Sequence, residues 1–359
     1  MGVLFQDGFD GYTADADLSD RWDTVNAAEF DLETTGGRWG GGSVRLFDDS
    51  ALSLFKNFEH TPDGDEICFG MNIKYRSAFD VSTGGEPLLY FWGGDGSVNC
   101  SLWIDTTGHL YVRRGTTSTT AGTATTALSL DTWHWVEIRL KLNQEAASDG
   151  EVEVYLDDTQ EINTTTADLT ADASSDGDLR GVSIYGPDVS ASEGIQMDDF
   201  VIWKLSGNAP NTFPLGPSRI QTLFVDGDGT TSDGTPSGGG ANWDELDEFP
   251  SDGTTYNAFS TGGDLDLYTV DDMGVIPETV HNVAVKTRAR ATSTKDKDYI
   301  GIAKSGSTTG DAANGGMIAP LSDTGWRETD FHFPTNPDTA AEWTSAQLDA
   351  AEFGVKNVV

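Results

Sequence analysis

The chain has 359 residues, of which 59 are Asp or Glu and only 21 Lys or Arg, giving a formal charge of −38 at neutral pH. That balance excludes nucleic acid and an anionic membrane surface as main partners, and no run of about 18 apolar residues is present to insert into a bilayer. With 37% hydrophobic and 10% aromatic residues the chain can build real cores, so disorder is excluded as well, and the length is that of two or three domains.

The opening Met1-Gly2-Val3-Leu4-Phe5-Gln6-Asp7 has no basic stretch followed by a long apolar one, so no conventional signal peptide is expected. Beyond it, apolar residues recur with period two between Gly, Asp, Asn and Pro, the pattern of half-buried antiparallel strands. Ile67, Phe69, Met71, Ile73 and Tyr75 share one strand face, Val136, Ile138, Leu140 and Leu142 another, and Val152, Val154 and Leu156 a third. Leu88 to Trp92, Cys100 to Ile104, Leu110 to Arg113, Gly181 to Tyr185 and Met197 to Leu205 read the same way. Cys68 and Cys100 stand apart from each other and from any histidine cluster, so neither a disulfide framework nor a zinc site is signalled.

From Ser206 to Pro217 three prolines and two glycines interrupt the pattern, which places a linker at 207–217 between domains 1–206 and 218–359. In the second domain Arg219 to Val225, Asp264 to Val270, Thr279 to Ala291, Tyr299 to Ala303 and Arg327 to Phe333 read as strands, and Gly229 to Gly240 as a mobile loop. Asp226-Gly227-Asp228-Gly229 begins like a calcium loop, but Thr230 and the missing Glu at its end break the pattern, so a turn is expected. Thr344-Ser345-Ala346-Gln347 forms a capping box for a short helix over about 345–350, and Phe353 to Val359 follows as a closing strand. The predicted class is all-β: an antiparallel jelly-roll sandwich plus a second β-sandwich or jelly-roll-like domain with one short C-terminal helix.

Five segments carry a resemblance to the concanavalin A-like lectin/glucanase superfamily, laminin-G-like modules in particular: Gln6 to Tyr12, Leu102 to Val112, Asp131 to Glu137, Gly150 to Asp158 and Met197 to Trp203. The resemblance implies two stacked sheets whose concave face and end loops can hold a ligand. Residues 218–359 resemble the C-terminal module of tailed-bacteriophage virion proteins, through Asn242 to Glu248, Gly263 to Tyr268, and the ending Phe331 to Thr344 continued by Ala351 to Lys356. This implies a β-rich attachment or oligomerisation module that is not an enzyme.

The glucanase branch needs two carboxylates about 5 Å apart on one strand face, and no such strand is present. Glu151 and Glu153 come nearest and read as an outward acidic face. No nucleophile elbow, zincin helix, P-loop or dinucleotide fingerprint occurs, and His60, His109, His134, His281 and His332 are scattered singly. Asp7 and Asp10 at the start and Asp198 and Asp199 in the last strand of the first domain could converge where the ends of a sandwich pair, offering the hard oxygens that Ca²⁺ takes. The resemblance supports a structural Ca²⁺ there; solvated strand-end turns are the other reading. Lys286, Arg288 and Arg290 alternate along one strand, guarding a sheet edge or docking a partner protein.

Together these expectations describe a non-enzymatic phage virion structural protein, a capsid decoration, collar, tail or fibre subunit assembled in the host cytoplasm. Its partners would be other virion proteins, its own copies in a homo-oligomer, and a host-surface glycan touched by the outer lectin-like domain. The rivals are a secreted carbohydrate-binding lectin and, after it, a glycoside hydrolase. Trp39, Trp92, Trp103 and Trp133 are the rings that could stack on sugar, or else pack in cores.

Overall fold

The computed structural model describes residues 2–47, 51–61, 65–76, 84–116, 119–142, 149–170, 178–189, 194–249, 251, 253–274, 279–291, 298–312, 319–320 and 325–358. The chain is all-β, as its period-two patterning dictates, with one short α-helix among the described residues. It divides into two compact units. One comprises Leu4–Gly207 with Asn211–Ile220, so most of the proline-rich stretch belongs to it; the other comprises Met1–Val3, Asn208–Pro210 and Gln221–Val359.

The first unit is a sandwich of two antiparallel sheets. The larger runs in the order Thr159–Ala167, Gly150–Leu156, His134–Lys141, Glu66–Tyr75, Ile195–Lys204, Ser43–Leu46 and Phe30–Glu33, with Val3–Asp7 paired to Ile195–Lys204. The seven-stranded sheet runs Thr120–Ala127, His109–Arg114, Val98–Ile104, Glu86–Trp92, Leu179–Ile184, Leu54–Thr61 and Thr24–Val25. The rings of Phe69 from one sheet and Phe91 from the other meet at 4.7 Å, which fixes the inner faces. Ile67, Met71, Ile73, Leu89, Cys100, Leu102 and Val112 lie buried around them. Since side chains alternate along a strand, Tyr90, Trp92, Ser101, Trp103, Tyr111 and Arg113 are thrown to the far side of the seven-stranded sheet.

The outer face of the larger sheet is roofed by the chain's own residues 211–220. Phe213 stacks on Trp203 at 6.2 Å and meets Tyr155 edge-on at 5.3 Å. The Trp203 indole N–H donates to the Thr212 carbonyl at 3.0 Å, and the Leu215 and Gly216 amides donate to the two carboxylate oxygens of Glu137 at 2.7 and 3.1 Å. Burial pushes the Glu137 carboxyl above its ordinary range, while those two amides pull it back.

In the second unit the antiparallel order is Val225–Ser232, Leu265–Val270, Glu352–Asn357, Asp298–Ser305 and Thr308–Asp311, with Ala319–Pro320 also paired to Asp298–Ser305. A two-stranded sheet of Val283–Ala289 and Arg327–Phe333 contributes Phe331 and Phe333 to its core, beside Tyr299, Ile302, Trp343 and Phe353. The expected helix is Ser345–Asp349, with the Thr344 hydroxyl accepting from the Gln347 amide at 3.3 Å and the Gln347 side chain accepting from the Thr344 amide at 3.0 Å.

Three expectations fail here. Residues 219–224 form no strand; the ladder begins at Val225. The segment read as a turn and a mobile loop instead forms Val225–Ser232, paired with Leu265–Val270, and Thr235–Pro236, paired with Asn257–Ala258. Its Gly, Thr and Asp residues give no apolar alternation to read, and the ladder to the neighbouring strand supplies what local propensity lacks.

Candidate functional site

One row of cross-strand partners traverses the outer face of the seven-stranded sheet. Thr24 faces Phe55, Phe55 faces Ser183, Ser183 faces Tyr90, Tyr90 faces Ser101, Ser101 faces Arg113 and Arg113 faces Thr120. At about 4.8 Å between strands the row is roughly 29 Å long. A run of rings accompanies it: Tyr185 to Tyr90 at 4.6 Å, Tyr90 to Trp103 at 6.2 Å and Trp103 to Tyr111 at 6.2 Å. Beyond Ser183, Phe55 meets Trp92 edge-on at 6.4 Å. Gly181 is required beneath this pair, because a Cβ there would stand 2.8 Å from the Phe55 ring.

Serines under the rings fix their tilt. The Trp92 indole N–H donates to the Ser183 hydroxyl at 2.7 Å, and that of Trp103 to the Ser101 hydroxyl, also at 2.7 Å. Ser101 passes its own proton to the Gly115 carbonyl at 2.5 Å. With their N–H groups satisfied below, both indoles lie down toward the sheet. Tyr90, Trp92, Tyr185 and Phe55 remain half-buried, whereas Trp103 and Tyr111 are nearly covered. Over those two lies the Arg113 guanidinium, 4.0 Å from the Trp103 centroid and 4.9 Å from that of Tyr111. Arg113 and the Tyr111 hydroxyl both donate to the Gly84 carbonyl, at 2.6 and 2.8 Å. Burial pushes the Tyr111 and Tyr185 hydroxyls above the ordinary phenol range, so both carry their protons at neutral pH. The face can therefore stack on flat apolar surfaces, present a cation held at two rings and offer the neutral phenol of Tyr185 as a proton donor, that of Tyr111 being spent on Gly84.

Where the row ends, Thr119, Thr120 and Ala121 face Thr164 and Thr166 across a cleft of about 240 Å³. Its floor holds the Arg114–Asp168 ion pair at 2.9 Å.

The acids named from sequence separate into two places. Asp7 is buried, accepting from the Tyr12 hydroxyl at 3.0 Å, the Trp22 indole at 2.9 Å and the Phe9 amide at 3.0 Å. Asp10, Asp198 and Asp199 lie close enough for their charges to act on one another. The proximity comes from a bulge in Ile195–Lys204 between Asp198 and Val201, where Asp199 takes φ 53°. Asp198 accepts from the Arg38 and Asp199 amides at 2.8 and 2.7 Å. Asp199 accepts from the Asn72 amide group at 2.7 Å, the Trp39 indole at 3.2 Å and the Ile220 amide at 2.6 Å. Burial raises Asp198 to about 8, with the Asp199 charge adding to it, and raises Asp199 to about 6. Among the described residues no three Asp, Glu, His or Cys side chains close into a metal-holding group. Asp198 and Asp199 are adjacent carboxyls kept from ionising chiefly by burial, with the Asp10 charge acting on both.

The other marked residues are engaged structurally. Glu151 and Glu153 both pair with Arg139, and Glu151 also with Lys141 at 2.8 Å. Lys286 pairs with Glu328 at 3.0 Å, Arg288 donates to the Ser251 carbonyl, and Arg290 lies 4.7 Å over the Trp326 ring. His134 bonds Asp157 at 2.6 Å and accepts the Ser129 amide at 2.9 Å. The side chain of His60 is outside the described residues. Of the four candidate tryptophans, Trp92 and Trp103 belong to the outer face of the seven-stranded sheet. Trp133 lies under Lys74, and Trp39, 48% exposed, has Arg38 4.8 Å from its ring. Sequence reasoning missed Tyr90, Tyr111, Tyr185 and Arg113. The signal was the inverse of the core pattern: once Leu89, Phe91, Leu102 and Val112 point inward, the residues between them must line the opposite face.

No family model and no curated protein matches the chain. Solved structures do. An endo-β-1,4-glucuronan lyase from the fungus Trichoderma reesei is 13% identical with a TM-score of 0.40, the match covering 56% of this chain and 95% of that one. The alginate lyase Aly36B is 12% identical at 0.40, covering 56% and 97%. A PL-14 alginate lyase from the marine Aplysia kurodai is 12% identical at 0.38, covering 57% and 100%. At these identities the likeness is one of fold. The expectations of a phage virion structural protein and of a non-enzyme are corrected by these comparisons: the similar structures are polysaccharide lyases. The missing carboxylate pair excluded hydrolysis alone. An elimination requires a proton acceptor and donor and no such pair, so the sequence argument did not reach it.

Proposed function

We propose that the unit formed by Leu4–Gly207 and Asn211–Ile220 is a carbohydrate-active module that holds a sugar polymer along the outer face of its seven-stranded sheet. The observation that carries this is the unbroken row from Thr24 to Thr120 with its accompanying rings, on the face of the sandwich opposite the one that residues 211–220 cover. Sugar rings present an apolar face to aromatics and hydroxyls at their rim, and the row alternates rings with Ser, Thr and Arg. A row roughly 29 Å long suits a chain of sugars rather than a single one. Ca²⁺ held by Asp10, Asp198 and Asp199 is a separate part of the proposal, supporting the fold at the strand bulge and not touching the sugar.

The test is binding of the full chain to a panel of immobilised polysaccharides, for the natural sequence and for Tyr90→Ala and Tyr185→Ala. Removing either ring is expected to weaken binding about tenfold, ~1.4 kcal/mol. Binding unaffected by both substitutions would remove the face from consideration.

A further inference from the structure

In a chain with nearly three acids for every base, an arginine without a carboxylate partner is an exception. Arg21, Arg45, Arg76, Arg114, Arg139 and Arg180 of the same unit each lie within ion-pair distance of an Asp or Glu. Arg113 has none among the described residues; neither do Arg38, which donates to the Asn72 side chain, and Arg219, which lies over the Trp39 ring, but of the three only Arg113 stands on a strand of the seven-stranded sheet. It is held instead by rings and one carbonyl: the guanidinium carbon lies 4.0 Å from the Trp103 centroid and 4.9 Å from that of Tyr111, the group donates to the Gly84 carbonyl, and its Nε is buried with no hydrogen-bond partner. Its backbone stands next to the end of the polar-aromatic row, between Ser101 and Thr120.

Such a guanidinium is preorganised. Contact with two rings and the bond to Gly84 limit where it can move, a planar fork matches a carboxylate in two parallel bonds, and no acid among the described residues has to be displaced first. We infer that Arg113 is a specificity-determining residue that receives the carboxylate of a uronic-acid sugar in the polymer lying along this face. The inference rests on the carbohydrate-binding reading above and narrows it to anionic chains. The chain's overall negative charge does not oppose it at close range, because beyond about 8 Å exposed charges are screened at physiological ionic strength. Trp103 and Tyr111 are then positioning residues: they orient the guanidinium, while Tyr90, Trp92 and Tyr185 present their faces to the sugars.

The experiment compares one backbone in two charge states: a polyuronate and the neutral polymer made from it by carboxyl reduction, titrated into the full chain, with dextran sulfate and dextran as a pair that differs in bare charge. The natural protein is expected to prefer the polyuronate over its reduced form by about tenfold. Arg113→Gln should lose that preference while still binding the reduced polymer, and Arg113→Lys should keep a few-fold of it as a point charge. Melting curves for both variants confirm folding. Equal affinity of the natural protein for the two polymers, a preference that survives Arg113→Gln, or an equal preference for dextran sulfate over dextran would each overturn the inference while leaving the binding face intact. Failure of every polymer to bind, or binding insensitive to Tyr90→Ala, would instead take down the carbohydrate reading and the inference with it.

Discussion

The Trp103 indole donates its N–H to the hydroxyl of Ser101, two residues back on the same strand and the same face, at 2.7 Å. That bond lays a large ring against the sheet directly beside Arg113, whose guanidinium then rests 4.0 Å above it. A serine buried under a ring thus sets the height of the cation near one end of the row.

Ser101→Ala removes this support. The buried indole N–H is left without its acceptor, at a cost of about 1–3 kcal/mol, and Trp103 is free to tilt. Denaturant midpoints should fall by that amount, and polymer affinity should fall a few-fold. Unchanged affinity in a measurably destabilised variant would show that the ring does not position Arg113.

Glu137 offers a contrast on the opposite sheet. Its two oxygens hold the amides of Leu215 and Gly216, and nothing in its surroundings faces the sugar. Glu137→Ala should cost roughly 2–4 kcal/mol and Glu137→Gln less, since one acceptor oxygen remains. Polymer affinity of the folded variants should not move. A loss of affinity parallel to the loss of stability would mean that the roofed face takes part in binding.

Asp198 and Asp199 set a pH dependence with a definite sign. Their folded values lie above the ordinary 3.8, so the fold favours the protonated pair. The stability they contribute is full below the ordinary 3.8 and is lost as pH rises, by about 6 for Asp199 and by about 8 for Asp198. With chelator present, melting temperature should decline across that window, and Asp198→Asn should flatten the decline. Added Ca²⁺ should restore stability at the upper end, by about 2.7 kcal/mol at a hundredfold excess over Kd. If Ca²⁺ changes nothing in either protein, the cation proposal is withdrawn.

Much of the fold was legible because burial on one face of a strand writes period two into the sequence. Ile67 to Tyr75 and Val136 to Leu142 appear as strands where that pattern stood. Val225–Ser232 was invisible because half its residues are exposed and none of the apolar weight is on the strand itself. The site was legible only in part. Trp92 and Trp103 could be named as rings, but whether they face the core or the solvent depends on which sheet face their neighbours bury. The row linking Thr24 to Thr120 joins seven separate strands whose register no local signal carries. Arg113 drew no notice for a related reason: what marks it is a place over two rings of this face with no ion pair among the described residues, and both depend on the folded register.

In the second unit, Gly354 stands between Leu267 and Ile302 in the middle of the six-stranded sheet, where a Cβ would collide with the Asp266 carbonyl oxygen. Gly354→Ala should destabilise this unit by about 1–3 kcal/mol, seen as faster limited proteolysis within residues 221–359, with polymer affinity unchanged. Proteolysis at the natural rate would show that the strand accommodates the methyl group by shifting.

The central claim, that the outer face of the seven-stranded sheet is where a polysaccharide lies, is tested most directly by oxidative footprinting of side chains in the full chain with and without a polyuronate. Tyr90, Trp92 and Tyr185 should be protected by the polymer, while the exposed ring of Trp39 and the ring of Trp133 should be oxidised at the same rate in both samples. Protection of Trp39 or Trp133, with Tyr90, Trp92 and Tyr185 unchanged, would contradict the account.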